Sequence, residues 1–278
     1  MVLMVAYVKH QLIYRLGLNK RKAIYFLKIA NPMSLRKQFY QYFDLVHADT
    51  AKLRREVFQL RYQIYCLETG FERHEDCDRS VVDGREIFLE KDAWDQRADH
   101  YLLRHLRSGR YAATVRLVLP DPADLLAPYP IEAHCRLEAP EKEPDVRSHL
   151  AEISRLAVSR EFKKRAGEAG SLAGISQRPE IYFKADERRM LPHLTVGLFA
   201  AIVRMTRAHD IQHWYAVMEP ALIRLLRLFG IRFVPIGPDV DYHGLRRPCL
   251  AEVDKVLPSI RKVNPPVWDL ITEGGKYA

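Results

Sequence analysis

The chain has 278 residues, of which 48% are apolar and 28% are charged, a composition that excludes intrinsic disorder and allows a sizeable buried core. Its four cysteines are widely spread, which argues against a disulfide framework and favours a reducing compartment. The apolar start is interrupted at Lys9, and no stretch approaches the roughly 18 apolar residues of a membrane span, so we expect a cytoplasmic protein with neither a signal peptide nor a transmembrane helix.

The net charge of +9 is concentrated at the N-terminal end. Residues 1–40 hold eight basic side chains and no acidic one, whereas the rest of the chain is nearly neutral. We therefore predict a basic extension over residues 1–40, a domain over residues 41–250 and a C-terminal tail over residues 251–278. The extension suits an acidic partner protein or a peripheral contact with anionic lipid, and a solvated extension is the open alternative. Nucleic-acid binding is the weakest interpretation of this charge, and no nucleic acid is expected as a partner.

One helix followed by extended segments makes up the first part of the predicted fold. The helix covers about residues 50–67, with Asp49 as its N-cap. After it we predict, in order, a charged loop over 72–86, an extended segment Ile87–Asp92, a hairpin of Asp99–Leu106 with Arg110–Leu119, a proline-rich crossing over 120–147 and a strand Glu152–Val158.

Helices and short strands alternate in the last part, after a loop over about residues 159–190. In order, the predicted elements are a helix from Leu191 to Met205, a strand His213–Met218, a helix from Pro220 to Phe229 and strands Ile231–Ile236 and Val240–Leu245. The polar stretch Asp241–Cys249 could border a cleft, and a tight turn explains Gly244 and Pro248 equally well. This order of elements predicts an α/β fold with a mixed sheet.

Two segments carry polar side chains at spacings that suit a site. On the first helix, Arg61 and Tyr65 lie on one stripe. In the extended segment, Glu90 and Asp92 lie on the same face, about 7 Å apart. Two carboxylates that close raise each other's proton affinity, which suits a general base. Each pattern also fits a solvated surface, so neither predicts a site by itself.

Two strands add further charged positions. Along Tyr111–Leu119 the apolar residues share one face, and Arg116 points to the other. In Glu152–Val158 a regular strand places Glu152 and Arg155 on opposite faces, and only a bulge brings both to one site.

The segment after this strand suits a phosphate group. Its backbone amides and cations could hold an anion, although a surface loop explains them equally well. The residues concerned are Lys163, Lys164, Arg165 and Gly167. No metal site is predicted, because Cys66, His74 and Cys77 lack a second Cys/His pair at zinc spacing.

Taken in order, these segments resemble the acyl-homoserine-lactone (autoinducer) synthases and the related N-acyl amino acid synthases of the GNAT superfamily. The family's succession is Arg-x-x-x-Phe, Trp, Glu-x-Asp-x-x-Asp, Arg and Glu-x-Ser-Arg. The positions that match it are Arg61, Tyr65, Phe71, Glu90, Asp92, Asp95, Arg116, Glu152, Ser154 and Arg155. The likeness is strongest to the PEP-CTERM/exosortase-system-associated acyltransferases and covers about residues 40–250. The segments that support it are Leu60–Glu68, Thr114–Pro120, Ile153–Ser159 and His213–Pro220.

The resemblance implies the GNAT fold, an α/β (α+β) arrangement of helices around a mixed, mostly antiparallel sheet that is splayed at its middle. It also implies a bulge in the strand Glu152–Val158. The expected catalytic residues are Glu90, Glu152 and Arg155. Substrate binding is expected at Arg61, Tyr65, Phe71, Asp92, Asp95, Arg116 and Ser154. Binding of the acyl donor is expected at Val158, Lys163, Lys164, Arg165 and Gly167.

The implied activity is N-acyl transfer from a phosphopantetheine thioester to a small-molecule amine such as an amino acid, with no tightly bound cofactor and no metal. Acyl carrier protein is favoured over coenzyme A as the carrier of the thioester, because it is acidic and residues 1–40 are basic. Phe71 stands where the autoinducer synthases have tryptophan, which weakens the alternative of an S-adenosylmethionine acceptor. A catalytically idle GNAT domain that serves as a binding or assembly module is the second alternative.

Overall fold

A computed structural model describes residues 34–138, 141–162, 187, 190–241 and 244–278. Residues Leu35–Ala278 form one compact unit. The helices are α1 Leu35–Tyr42, α2 Ala51–Tyr62, α3 Pro130–His134, α4 Pro144–Arg147, α5 Leu194–Ala208, α6 Pro220–Leu228, α7 Val253–Val263 and α8 Pro265–Ile271. The strands are β1 Phe43–His47, β2 Asp78–Val82, β3 Arg85–Leu89, β4 Ala98–His105, β5 Tyr111–Val118, β6 Leu150–Val158, β7 His213–Met218, β8 Val234–Pro235, β9 Val240–Asp241 and β10 Leu245–Glu252.

The main sheet runs in the order β1-β4-β5-β6-β7-β10-β8, with β9 paired to β10, and β2 and β3 form a separate hairpin. All neighbouring strands of the main sheet are antiparallel except β6 and β7, which run parallel. The predicted fold class, a mixed and mostly antiparallel sheet flanked by helices, is therefore confirmed.

The parallel pair β6 and β7 separates near its middle. The pairing runs from Leu150 opposite His213 to Ile153 opposite Ala216 and then ends, although β6 continues to Val158. Beyond this point the side chains of both strands line a cleft. The sheet is thus splayed where the resemblance predicted it.

Strand β6 also carries the predicted irregularity. Arg116 of β5 lies opposite Ser154, but Thr114 lies opposite Ala157, so β6 contains one residue more than its partner. Arg155 takes up this extra residue in the left-handed region, at φ 47°. Odd-numbered side chains of β6 therefore lie on one face of the sheet before Arg155 and on the other face after it.

The two faces of the sheet are covered by different helices. Helix α5 is buried along almost its whole length and packs on one face, together with α1, α7 and α8. Helix α2 packs on the other face, over β4 and β5. No helix among the described residues is long and apolar enough to span a membrane.

The boundaries at residues 40 and 250 stay a prediction, but the structure shows what lies on either side of them. Helix α1 spans the first boundary and buries Leu35 and Phe39 in the main core. Residues 251–278, set apart as a tail, contain the end of β10 and the helices α7 and α8, whose apolar sides join the same core. The expected extension over residues 1–40 lies mostly outside the described residues.

Several predicted elements differ in detail from the structure. The first helix begins after Thr50, not Asp49, because the Thr50 hydroxyl accepts the hydrogen bond from the Leu53 amide at 3.2 Å. It continues past Tyr62 as a π-helical segment, Gln63–Glu68. The charged loop predicted over 72–86 contains β2 and the first two residues of β3.

The stretch Asp241–Cys249, for which a tight turn was one of two interpretations, includes the first five residues of the eight-residue strand Leu245–Glu252, which lies between β7 and β8. Pro248 fits there because its carbonyl accepts a hydrogen bond from the Ile236 amide at 3.0 Å, a contact that needs no donor on the proline.

Candidate active site

Arg61 lies at the centre of the candidate site. It projects from the buried face of α2, and its side chain is fully buried. Its Nε donates to Glu90 Oε2 at 2.5 Å, and its Nη1 donates to Asp95 Oδ1 at 2.7 Å. Glu90 follows β3, and Asp95 lies in the short helical turn Ala93–Arg97. Arg61 therefore fixes two separate acidic segments to one helix.

Arg116 joins the same acidic residues to the sheet. Its Nη1 donates to Asp92 Oδ1 at 2.6 Å and to Asp95 Oδ1 at 2.8 Å, and its Nε donates to Ser154 Oγ at 2.9 Å. Asp92 also caps the turn Ala93–Arg97, and Asp95 accepts from the Asp92 amide in return. The turn thus presents both carboxylates toward β5.

Arg155 reaches this cluster because of the bulge. Its Nη2 donates to Glu90 Oε1 at 2.9 Å and to Asp92 Oδ2 at 3.2 Å. Its guanidinium lies 5.2 Å from the centre of the Tyr65 ring. A regular strand would have turned this side chain to the opposite face of the sheet, away from both carboxylates.

The arginines hold Glu90 and Asp95 in their charged form. Burial by itself raises the pKa of a carboxyl group, because it disfavours the charge. At Glu90 this effect is outweighed by Arg61 and Arg155, which bring the pKa to about 2. At Asp95 it is outweighed by Arg61 and Arg116, which also lower the pKa. Neither carboxylate is therefore suited to accept a proton near neutral pH.

Glu152 has the opposite electrostatic environment. Its cross-strand partners Val118 and Tyr215 are buried, and its Oε2 accepts from the Ile131 amide at 2.8 Å. Burial raises its pKa to about 8, against the lowering effects of that amide and of Arg116. A carboxyl with such a pKa can take up and release a proton near neutral pH.

A cleft opens where β6 and β7 separate, and it consists of two adjoining cavities of about 90 Å³ and about 80 Å³. Both cavities are lined by Tyr65, Ile153, Ser154, Arg155, Val217 and Arg246. The first also reaches Glu152, Phe71, Pro130 and His134. The second is extended by a mostly apolar group consisting of Leu156, Phe199, Ala216, Met218, Leu222, Phe233 and Glu219.

The structure brings most of the predicted site residues together. The arginine–carboxylate cluster contains Arg61, Glu90, Asp92, Asp95, Arg116, Ser154 and Arg155. Tyr65, Phe71 and Glu152 join it along the cleft. Their roles in a reaction stay predictions.

Of the five residues predicted to bind the acyl donor, one lies among the described residues. Val158 is buried in the main core at the end of β6 and is not among the side chains that line the two cavities. Lys163, Lys164, Arg165 and Gly167 lie outside the described residues.

Three residues of the site, Glu72, His100 and His134, were not predicted, and Arg246 was predicted only as part of the polar stretch Asp241–Cys249 that could border a cleft. Glu72 accepts from Arg155 at 3.3 Å, and His134 and Arg246 line the cleft. His100 lies opposite Arg116 on β4, where burial lowers its pKa to about 3 and keeps it neutral. Glu72, His100 and His134 were isolated polar positions in the sequence, and only the pairing of the strands and the packing of α3 bring them near the cluster.

The described residues contain no group of three or more His, Cys, Asp or Glu side chains placed to hold a metal ion.

Comparison with known proteins identifies a domain within this arrangement. Residues 60–172 match the acetyltransferase (GNAT) domain family. This range begins on α2 and includes Arg61, the acidic turn, Arg116 and all of β6. No curated protein matches the sequence.

Solved structures with a similar fold include enzymes of acyl-homoserine lactone synthesis. BjaI, a CoA-dependent acyl-homoserine lactone synthase with SAM and isopentyl-CoA, is 16% identical over 84% of this chain and 99% of its own, with a TM-score of 0.51. TofI, in a complex with an inhibitor and MTA, is 17% identical over 81% of this chain and 99% of its own, with a TM-score of 0.50. At these identities the likeness establishes the fold.

Proposed function

We propose that this chain is an acyl-transferring enzyme of the GNAT type, which moves a fatty acyl group from a phosphopantetheine thioester to the amine of a small-molecule acceptor; the match of residues 60–172 to the acetyltransferase (GNAT) domain family supports this. The observation that carries this proposal is the position of Glu152. Its carboxyl group, with a pKa of about 8, lines the cleft between the separated strands β6 and β7. The group that accepts the proton therefore lies beside the cavity that would hold the substrate.

Glu152 is the general base in this proposal, and Glu90 is a positioning residue. Both were candidates in the sequence, but Glu90 is paired with two arginines and its pKa is about 2. A base with so low a pKa has little driving force to take a proton from an amine. The Glu152 carboxyl group accepts one hydrogen bond among the described residues, from the Ile131 amide, and its pKa of about 8 is close to neutral pH.

The reaction follows from this assignment. Glu152 takes a proton from the acceptor ammonium group, and the free amine attacks the thioester carbonyl. A carbon–nitrogen bond forms, the carbon–sulfur bond breaks, and the thiol carries away a proton. Backbone amides of β6 beyond its last pairing with β7 are suited to stabilise the negative oxygen of the intermediate. No covalent acyl-enzyme is needed.

The arginine–carboxylate cluster orients the acceptor. Arg155 lies at the wall of both cavities and is held by Glu90, Asp92 and Glu72. Glu90, Asp92 and Asp95 each contact more than one arginine, so the cluster is rigid. Rigid positioning lowers the entropic cost of bringing two reactants together.

The apolar cavity suits the acyl chain. Phe199 from α5, Met218 from β7 and Phe233 contribute to its wall, next to the point where the strands separate. Burial of methylene groups against such side chains stabilises binding by about 0.8 kcal/mol per group. A fatty acyl group placed there has its thioester near Ser154 and Glu152.

The donor in this proposal is an acyl-carrier-protein thioester, with acyl coenzyme A as the alternative. Support comes from the eight basic and no acidic side chains of residues 1–40, since acyl carrier proteins are acidic. The same charge suits a peripheral contact with anionic lipid. We place the reaction in the cytoplasm, and the domain division at residues 40 and 250 belongs to this proposal.

The acceptor we favour is an amino acid rather than S-adenosylmethionine. The Arg246 guanidinium lies 5.9 Å from the centre of the Phe71 ring, so this aromatic face already holds a cation of the protein and is a poor platform for a sulfonium group. Arg246 also borders the cleft, where it suits an acceptor carboxylate. The association with a PEP-CTERM/exosortase system rests on the sequence resemblance.

The test is to incubate the purified full-length protein with acyl-carrier-protein thioesters, acyl coenzyme A and a pool of amines, and to identify products by mass spectrometry. We expect an N-acyl amino acid and a free thiol in equal amounts. A covalent acyl group trapped on a cysteine would contradict direct transfer. Absence of turnover with every thioester, together with stoichiometric binding of a partner, would instead support the idle binding module.

A further inference from the structure

Two cysteines face each other beside the candidate active site. Cys66 lies in the π-helical segment Gln63–Glu68, and Cys77 follows the short helical turn His74–Asp76. Their Sγ atoms are 3.3 Å apart, and both side chains are partly exposed. Neither takes part in the proposed reaction.

We propose that Cys66 and Cys77 are a reversible dithiol–disulfide pair, closed by an oxidant of the peroxide class. One thiolate attacks the peroxide and becomes a sulfenic acid, and the second thiol displaces water from it. The peroxide O–O bond breaks, one S–S bond forms, and the two thiol hydrogens leave in two molecules of water. The two electrons that the sulfur atoms lose reduce the peroxide.

The geometry makes this pair more suited to oxidation than the other thiols. Cys249 is buried in the main core, and Cys135 lies in a separate cluster. A disulfide has an S–S distance of about 2.04 Å, so the Cys66 and Cys77 sulfur atoms need to approach by little more than about 1 Å. Burial raises the pKa of both thiols, so we expect the reaction to be slow at neutral pH and faster as the pH rises.

The cross-link would act on the site from two sides. It closes a ring that contains Phe71, which lines the cleft, and Glu72, which binds Arg155. The Phe71 amide already donates to the Tyr65 carbonyl at 2.8 Å, next to Cys66.

At its other end, Cys77 precedes Asp78, which pairs with Leu89 immediately before Glu90. A movement of about 1 Å at a catalytic group can lower a rate by about 100-fold. Given the proposed function, closing the pair therefore lowers activity toward the acceptor.

The chemical test does not depend on turnover. Reduced full-length protein is treated with hydrogen peroxide, free thiols are counted in denaturant, and the linked peptides are identified by mass spectrometry. We expect the count to fall from four to two, a Cys66–Cys77 linkage, and full recovery with dithiothreitol. Cys135→Ser should still lose two thiols, whereas Cys66→Ser and Cys77→Ser should form no disulfide. Four remaining thiols, or a linkage through another cysteine, would overturn the proposal.

The kinetic test compares the same oxidised and reduced samples. We expect kcat/KM for the acceptor to fall at least tenfold on oxidation and to return on reduction, and Cys77→Ser to be insensitive to peroxide. An unchanged kcat/KM in protein shown to be linked would overturn control of the site by this pair. Reduced wild-type protein that transfers no acyl group would count against the proposed function, while the mapped linkage would stand.

Discussion

Glu90 and Glu152 are buried to a similar degree, with 5% and 2% of their surface exposed. Burial raises the pKa of both, yet the pKa of Glu90 is about 2 and that of Glu152 is about 8. Glu90 has two arginines within hydrogen-bonding distance, whereas Glu152 has a backbone amide and lies between buried Val118 and Tyr215. The comparison shows that the neighbours of a buried carboxyl group decide whether it braces a site or moves a proton.

The comparison is tested most directly by exchanging each glutamate for glutamine. Glu152→Gln should lower kcat/KM by about 10²–10⁴-fold, because a general base is lost, with little effect on the melting temperature. Glu90→Gln should lower the melting temperature more, since it leaves Arg61 and Arg155 short of a charged partner. Glu86→Gln, at an exposed position of β3, is the matched control. Near-wild-type turnover of Glu152→Gln would remove it as the base.

The stabilising role of the arginine–carboxylate cluster is tested by replacing its central residue, Arg61. Arg61→Met should lower the free energy of unfolding by about 3–5 kcal/mol, because it leaves Glu90 and Asp95 buried without their shared arginine. Urea denaturation gives this value. Arg73→Met, at a side chain that is 75% exposed, should stay within about 0.5 kcal/mol of wild type. An Arg61 variant as stable as the Arg73 variant would show that the cluster does not stabilise the fold.

The pH dependence of stability should separate the two glutamates in sign. The pKa of Glu152 is raised in the folded state, so its contribution is fully present below about pH 4 and is lost as the pH rises through about 8. The slope is at most about 1.4 kcal/mol per pH unit. Glu90, with its lowered pKa, loses its contribution as the pH falls toward 2.

Urea midpoints of wild type and Glu152→Gln at pH 5.5 and pH 8 measure the first effect. We expect wild type to lose stability relative to the variant at the higher pH. Parallel changes in the two proteins would mean that Glu152 is not protonated in the folded state near neutral pH.

The smallest effect concerns the segment that holds Glu152. Tyr129 Oη donates to the Leu150 carbonyl at 2.5 Å, and Tyr129 begins the turn whose Ile131 amide binds Glu152. Tyr129→Phe should therefore cost about 1 kcal/mol of unfolding free energy and raise KM for the acceptor slightly. Tyr111→Phe, on a partly exposed residue of β5, provides the control. Equal stability of the two variants would show that this hydrogen bond does not support the turn.

Regular elements with strong local signals were predicted correctly. The β4–β5 hairpin was marked by two apolar runs around Ser108 and Gly109, and Gly109 has the positive φ of 69° that a tight turn requires. Helix α6 was marked by Pro220 at its start and Gly230 after its end. These signals are local, so a single sequence contains them.

Features that depend on distant partners could not be read from the residues in the same way. Proline is typical of turns, so Pro248 gave no signal for a strand. In β10 its carbonyl accepts a hydrogen bond from the Ile236 amide, which requires no donor on the proline. Arg155 looks misplaced relative to Glu152 under strict alternation, and only the family resemblance predicted the bulge that corrects it. Glu72 had no signal, because its partner Arg155 lies far away in the chain.

The extra residue in β6 has a consequence for protein engineering. Before Arg155, even-numbered side chains face α2; after it, odd-numbered ones do, as the pairing of Ser154 with Arg116 and of Ala157 with Thr114 shows. The parity of the strand therefore changes in its middle. Deleting one residue between Ser154 and Ala157 would return β6 to a single parity, in which Glu152 and an arginine share a face only at an even spacing. A transplant of this site into a regular strand therefore needs an even spacing between the glutamate and the arginine, whereas the bulged strand places them three residues apart.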